Sequence, residues 1–227
     1  TSDPLITRRY DVHTLQNKLF NKFTLQRDLG LSVASQPLLL SYIGRVVEQK
    51  GIDLILDIMD ELFKHPVQLV VLGSGDPEIE AQLRSAEQRY PRQLSVHIGY
   101  DEQLAHNIEA GADALLMPSR YEPCGLNQMY SQLYGTIPIA HRTGGLADTV
   151  VDFNQESLAA HQATGFLFDG DSPEALLATC LGALSLYRND RVDWWKLVIA
   201  GMKQDFSWTQ SARQYIELYA RLVNNRQ

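Results

Sequence analysis

The sequence of 227 residues is 44% apolar and carries a formal net charge of −7, a composition typical of a globular protein with a sizeable core. The basic residues form no long run, and no apolar run approaches the ~20 residues of a membrane span, so neither a nucleic acid nor a membrane is the expected partner. The two cysteines, Cys124 and Cys180, favour a reducing cytoplasm, and we expect no disulfide framework and no metal site.

Residues 1–36 have no strand pattern and are rich in Lys, Arg, Gln and Asn. We predict a helical approach segment here rather than a domain. The first residue is not Met, and no basic-then-apolar leader opens the chain. A processed form or an excised piece of a longer protein is therefore expected.

Short β-rich runs alternate with helical patterns over residues 37–205. The predicted strands are 38–43, 67–72, 94–98, 114–117, 137–140 and 166–168. Repeated strand–helix units predict an α/β fold, with a parallel sheet and helices on both faces. After 169 the strand signal stops, and helices are predicted from Pro173, Val192 and Trp208. The last of them, in residues 206–227, is strongly amphipathic and must pack on something.

Cations follow the first predicted strand, at Arg45 and Lys50. Ligands of open parallel sheets bind at the carboxyl ends of the strands, so the loops after the strands are the expected location of a site. Five positions apart on a helix, the two cations would point about 140° apart, so a shared anion requires a loop between them. Gly44 favours such a loop. The alternative is a pair of solvated surface cations.

Glycines and a possible stacking residue follow the second and third strands. Gly73-Ser74-Gly75 fails as a dinucleotide fingerprint because its third glycine position is acidic, so we predict a turn with Asp76 capping the next helix. Tyr100 could stack on a nucleobase or pack as a half-buried side chain. Asp101 is predicted to cap the following helix, and His106 to be a structural or surface residue.

Two glycine-containing strand-to-helix corners, at 122–126 and 142–148, follow the fourth and fifth strands. Such corners leave backbone N–H groups open to an anion, so together they predict a phosphate site. The amides concerned are those of Gly125, Leu126 and Asn127 in the first corner, and of Thr143, Gly144 and Gly145 in the second, where a plain turn is the alternative.

The first corner also contains a carboxylate and a thiol. Glu122 could accept hydrogen bonds from a sugar hydroxyl, or it could serve as a cap or first-turn charge of the next helix. Cys124 has no adjacent base that would make it a nucleophile, and we predict that its side chain is packed.

These runs resemble a known family. Residues 118–128, 134–138 and 142–150 closely resemble the C-terminal half of bacterial glycogen synthases and plant starch synthases. The resemblance extends to 3–4, 21–22, 44–45, 49–51, 72–76, 98–100 and 205–208, and so covers essentially the whole chain. It implies a retaining hexosyltransferase with the two Rossmann-like domains of the GT-B fold, of which this chain is the C-terminal, donor-binding one.

The resemblance also implies roles for the residues singled out above. The donor substrate would be ADP-glucose, with no cofactor. Arg45 and Lys50 would neutralise the leaving diphosphate, Tyr100 would stack on the adenine, and Glu122 would hold the glucose hydroxyls. The amides of Gly125, Leu126 and Asn127 and of Thr143 to Gly145 would receive sugar or phosphate oxygens. Asn127 and His141 differ from the commoner Thr and Arg, without affecting the backbone contacts.

In the family that the chain resembles, the reaction takes place in a cleft between the two domains, so half of that cleft would lie outside these 227 residues. The family's N-terminal domain, with its Lys-x-Gly-Gly-Leu segment, contacts the donor and the α-1,4-glucan acceptor. We therefore expect the isolated chain to bind nucleotide weakly and to transfer little or no glucose, and its last helix to be under-packed. The alternative is a non-catalytic nucleotide- or sugar-nucleotide-binding module.

Overall fold

A parallel sheet forms the centre of the computed structural model, which describes residues 2–224. Its strands run in the spatial order β3-β2-β1-β4-β5-β6, and every neighbouring pair is parallel. They are β1 (Leu38–Ile43), β2 (Val67–Gly73), β3 (Leu94–Ile98), β4 (Ala114–Met117), β5 (Ile137–His141) and β6 (Phe166–Phe168). All of the predicted strands are confirmed, with β2 and β5 extended by one residue, and the sheet is Rossmann-like.

Helices connect and cover the strands. They are α1 (Lys18–Asp28), α2 (Ile52–Leu62), α3 (Pro77–Arg89), α4 (Glu102–Gly111), α5 (Asn127–Leu133), α6 (Gly144–Thr149), α7 (Gln155–Ala159), α8 (Pro173–Asn189), α9 (Arg191–Met202) and α10 (Trp208–Asn224), with 3₁₀ turns at Leu15–Asn17 and Glu48–Lys50. The helices predicted after β6 are confirmed, with α9 beginning one residue early. Within residues 2–224, no helix combines the length and apolarity needed to cross a membrane.

Both faces of the sheet are covered, which explains why most of its strands are predominantly apolar runs, whereas the edge strand β3 alternates and is only partly buried. Leu38 and Leu40 of β1 face a core that includes side chains of α2, α8 and α9. Leu39, between them, faces a second cluster with Leu25 of α1 and Ile108 of α4. Alternate residues of one strand therefore belong to different cores, as the pleat of a strand requires.

Buried lysine amines fix α1 beside the amino-terminal ends of β4 and β5. Lys18 Nζ donates to Ala110 O at 2.9 Å and to Thr136 Oγ1 at 2.8 Å. Lys22 Nζ pairs with Asp113 at 2.6 Å. These bonds satisfy amines that would otherwise be costly to bury.

The domain boundary at residue 36 stays a prediction.

His106 is a structural residue, as predicted, because its Nδ1 lies 2.7 Å from Asp3 Oδ2. Its neighbour Glu109 is buried, and this burial raises the pKa of the Glu109 carboxyl to about 7, from an ordinary 4.5. Since the folded pKa is the higher one, the protein loses stability as the pH rises from about 4.5 to 7 and the buried carboxyl ionises.

Glu109→Gln is expected to remove this loss, because the amide has the same shape and no charge. The variant should nearly match the parent near pH 4.5 and should be more stable by about 3 kcal/mol at pH 8. Urea unfolding at the two pH values measures the difference. A constant difference across this range would contradict the assignment of the pH dependence to Glu109.

Helix α10 presents an apolar stripe to solvent. Tyr215, Ile216, Tyr219 and Leu222 are all exposed, in agreement with the amphipathic pattern of the sequence. Trp208, at the start of α10, lines a groove with Tyr130 of α5.

Candidate functional site

Most of the predicted site residues meet in a crevice between β1 and β4. This is where the strand order changes direction, so the loops that follow these two strands diverge and leave an opening. Two adjoining cavities occupy the crevice and share Ile43 and Gly44. The first, of about 120 Å³, is lined by Lys50, Glu122, Gly125, Leu126 and Asn127. The second, of about 290 Å³, is lined by Arg45, Ser74, Tyr100 and Asp101.

The loop after β1 continues the parallel pairing beyond the strand. Val46 N donates to Ser74 O at 2.9 Å, and Asp76 N donates to Val46 O at 2.7 Å. A methyl group at Gly73 would overlap Gly44 O, and one at Gly75 would overlap Val46 O. These two glycines therefore serve the close approach of two backbones, which supports rejecting a dinucleotide fingerprint.

Asp76 caps α3, as predicted, by accepting a hydrogen bond from Glu78 N at 2.8 Å. The loop beside it places Arg45 in the wall of the second cavity, where its guanidinium donates to Gln49 Oε1 at 3.2 Å. Lys50 ends a short 3₁₀ turn, Glu48–Lys50, and the two cations are therefore not on one helix; they line the two adjoining cavities.

Lys50 and Glu122 form an ion pair across the crevice. Glu122 is buried, and Ser119 Oγ donates to the same carboxylate oxygen at 3.2 Å. Helix α5 begins only at Asn127, and its first turn contains no acidic residue. The cap or first-turn alternative for Glu122 is therefore wrong, because its carboxylate lies in the cavity against a cation.

Backbone amides of the first corner have no internal partner in the part of the chain that the structure describes. Within residues 2–224, the N–H groups of Gly125, Leu126 and Asn127 donate to no protein acceptor. Gln128 Nε2 instead binds the carbonyl oxygens of Cys124 and Gly125, each at 3.0 Å. The Asn127 side chain donates to Ile43 O at 2.8 Å and so ties the start of α5 to the end of β1.

The second corner supports the first rather than lining the cavities. Thr143 N donates to His141 O at 2.8 Å, and Gly145 N donates to Glu122 O at 3.0 Å. Among the described residues, only Gly144 of the three has an amide without a protein acceptor. Methyl groups at Gly144 and Gly145 would overlap Glu122 O and Cys124 O, so both glycines allow the two corners to touch.

Tyr100 is 86% exposed at the mouth of the second cavity, so the half-buried alternative for this residue is wrong. Its ring remains available for stacking. The neighbouring Asp101 carboxylate is occupied, because it caps α4 by accepting from Leu104 N at 2.8 Å, as predicted.

Cys124 is exposed, so the prediction of a packed side chain is wrong. The reason lies in its backbone, because it is the Cys124 carbonyl that packs against Gly145. Cys180 is the buried cysteine, and burial raises the pKa of its thiol to about 12.

Several contact residues of the site were not singled out from the sequence. Arg120 makes a bidentate ion pair with Asp53, at 2.8 and 2.7 Å. Ser119 and Gln128 bind Glu122 and the first corner, respectively. A charge two positions before Glu122 was the available signal for Arg120, but nothing in the sequence identified its partner.

Residues 30–194 match the family described as glycosyl transferases group 1. The chain belongs to this family. Its sheet order and its crevice at the β1–β4 switch point agree with the Rossmann-like, GT-B type of fold.

Two curated relatives with similar sequences are glycogen synthases. Glycogen synthase 1 of Methylococcus capsulatus is 51% identical over 218 residues, which cover 96% of this chain and 44% of the relative. Glycogen synthase of Nitrosospira multiformis is 49% identical over 225 residues, covering 99% and 45% respectively. The chain thus spans less than half the length of these curated relatives.

A similar solved structure is the catalytic domain of starch synthase IV from Arabidopsis thaliana, bound to ADP and acarbose. It is 36% identical, with a TM-score of 0.89, and the match covers 98% of this chain and 46% of that one.

Proposed function

We propose that this chain is the donor-binding part of a glycogen or starch synthase, which transfers glucose from ADP-glucose to the non-reducing end of an α-1,4-glucan with retention. The observation that carries the proposal is the Lys50–Glu122 pair in the β1–β4 crevice, a cation beside a buried carboxylate. The names of the relatives and the ADP bound to the similar starch synthase support the nucleotide and the sugar.

Charge separation explains why cations are needed. Breaking the bond between glucose C1 and the diphosphate builds negative charge on phosphate and positive charge on the sugar ring. Arg45, Lys50 and the unpaired amides of the first corner would stabilise the phosphate charge as it develops. No cofactor and no metal enter this scheme.

Binding of the donor would exchange the partners of the Lys50–Glu122 ion pair. A diphosphate competes with Glu122 for Lys50 Nζ, and the released carboxylate becomes free to accept hydrogen bonds from glucose hydroxyls. The exposed Tyr100 ring would stack on the adenine, while the two cavities hold the diphosphate and the sugar.

Glu122→Gln is expected to strengthen the binding of ADP and to abolish glucose transfer. The substitution removes the carboxylate that competes for Lys50, so the affinity for ADP should rise about tenfold. Calorimetric titration of the chain with ADP measures this effect. Weaker binding of ADP to Glu122→Gln would contradict the proposed exchange of partners.

The acceptor glucan would be bound largely by a part of the longer enzyme outside this chain. We therefore expect the isolated chain to bind ADP weakly and to be inactive, and the complete enzyme to act in the cytoplasm. The second corner would contribute Gly144 N to the ligand, while the amides of Thr143 and Gly145, which bind His141 O and Glu122 O, would only support the first corner.

A chimera tests the function as a whole. The aligned 218 residues of the Methylococcus capsulatus enzyme are replaced by this chain. Glucose incorporation into glycogen is then measured from labelled ADP-glucose, with the Glu122→Gln chimera as a negative control. We expect transfer by the first chimera only. A folded chimera that binds ADP but transfers no glucose would indicate a binding module instead.

A further inference from the structure

We propose that Arg120 is a positioning residue, which together with Asp53 holds the Lys50 turn against the Glu122 corner. The inference rests on the function proposed above for Lys50 and Glu122.

Arg120 contacts the Lys50 turn with both its side chain and its main chain. Its guanidinium binds the Asp53 carboxylate in a fork, with Nη1–Oδ1 at 2.8 Å and Nη2–Oδ2 at 2.7 Å, and Nη1 also donates to Glu48 O. Its backbone N–H donates to Gln49 O at 3.0 Å. These bonds flank Lys50 on both sides in sequence, so they fix the backbone from which the Lys50 side chain extends.

Arg120 also binds a second carboxylate, which provides an internal comparison. Arg120 Nε binds Asp171 Oδ2 at 2.8 Å, and Asp171 lies in the loop between β6 and α8. Both aspartates share one guanidinium, but only Asp53, next to Ile52 at the start of α2, belongs to the segment that contains Lys50. A role in positioning Lys50 therefore requires Asp53 and does not require Asp171.

The chemistry of the two side chains explains why such a clamp is needed. Lys50 is a point charge on a flexible stem, and it binds an anion well only when its backbone is already in place. The planar arginine fork supplies two parallel bonds in one orientation, which a lysine at position 120 cannot reproduce. Burial acts to raise the pKa of the Asp53 carboxyl, but the hydrogen bonds and charge of Arg120, together with backbone hydrogen bonds, outweigh it and leave this pKa lowered.

The test measures ADP binding by calorimetry and stability by urea unfolding for three single variants of this chain, and for Lys50→Ala with and without Arg120→Lys. Arg120→Lys and Asp53→Asn are expected to weaken ADP binding about tenfold, while Asp171→Asn stays within about twofold of the parent. In a Lys50→Ala background, Arg120→Lys should produce no further loss of affinity, because there is no longer a Lys50 charge to position. A purely structural role would instead lower affinity in both backgrounds.

Besides a loss of affinity in both backgrounds, two results would overturn the inference while leaving the proposed function intact. One is parent-like ADP binding by Arg120→Lys and Asp53→Asn, combined with weak binding by Lys50→Ala. The other is an equal loss of affinity in Asp53→Asn and Asp171→Asn, which would indicate a general effect on the fold. If Lys50→Ala itself binds ADP like the parent, it is the proposed function that fails.

Discussion

Gly51→Ala is expected to lower the free energy of unfolding by about 3–4 kcal/mol, whereas Gly30→Ala is expected to lower it by only about 1 kcal/mol. Both glycines have a positive φ, +69° at Gly51 and +70° at Gly30. A methyl group at Gly51 would overlap Pro118 O, while one at Gly30 would meet no atom within 4 Å. The pair therefore separates the cost of a left-handed residue from that of a blocked backbone approach.

Urea unfolding of the two variants beside the parent measures both costs. Gly51 follows Lys50 directly, and its contact is with the residue that opens the loop after β4. The difference between the variants thus reports how closely the β1 and β4 loops must approach in the crevice. Equal losses of stability in the two variants would mean that no such close approach contributes to the native state.

Combined replacement of Arg45 and Lys50 by Ala is expected to reduce the affinity for ADP by about 100-fold or more. A hydrogen bond to a charged group contributes about 1.5–3 kcal/mol, and each 1.4 kcal/mol corresponds to a factor of ten in affinity. The loss of two such contacts therefore exceeds the effect of any other binding-site substitution considered above.

A matched control separates local contacts from net charge. The Lys64→Ala/Arg89→Ala variant also removes two cations, each in an exposed pair, with Glu61 and Asp60 respectively. It should bind ADP within about twofold of the parent, because exposed charges farther away than a Debye length of ~10 Å are screened. Parent-like affinity in the Arg45/Lys50 variant, or an equal loss in the control, would contradict a phosphate site at these two residues.

Most of the sheet could be predicted from the sequence because its strands, apart from the edge strand β3, are buried on both faces. Runs such as 38–43 and 67–72 are apolar without alternation, and glycine or proline lies near their ends. Helix starts were predictable for a similar reason, since Asp76 and Asp101 cap through bonds to residues two or three positions away. Local chemistry determines both features.

The Lys50–Glu122 pair could not be predicted in the same way, although both residues were proposed for the site. Their meeting depends on β1 and β4 being neighbours in the sheet, and no local pattern specifies that order. The same holds for Arg120 and Asp53. The amides of the second corner were wrongly expected to be open for the same reason. Gly145 N donates to Glu122 O, and the sequence around Gly145 does not reveal this distant partner.

A crystal structure of this chain with ADP tests the central claim most directly. We expect the diphosphate in the β1–β4 crevice, in contact with Lys50 Nζ, the Arg45 guanidinium and the amides of the first corner, and the adenine against Tyr100. The Lys50–Glu122 pair should be broken or shared with phosphate. ADP bound elsewhere, with that ion pair intact and the crevice without phosphate, would contradict the account.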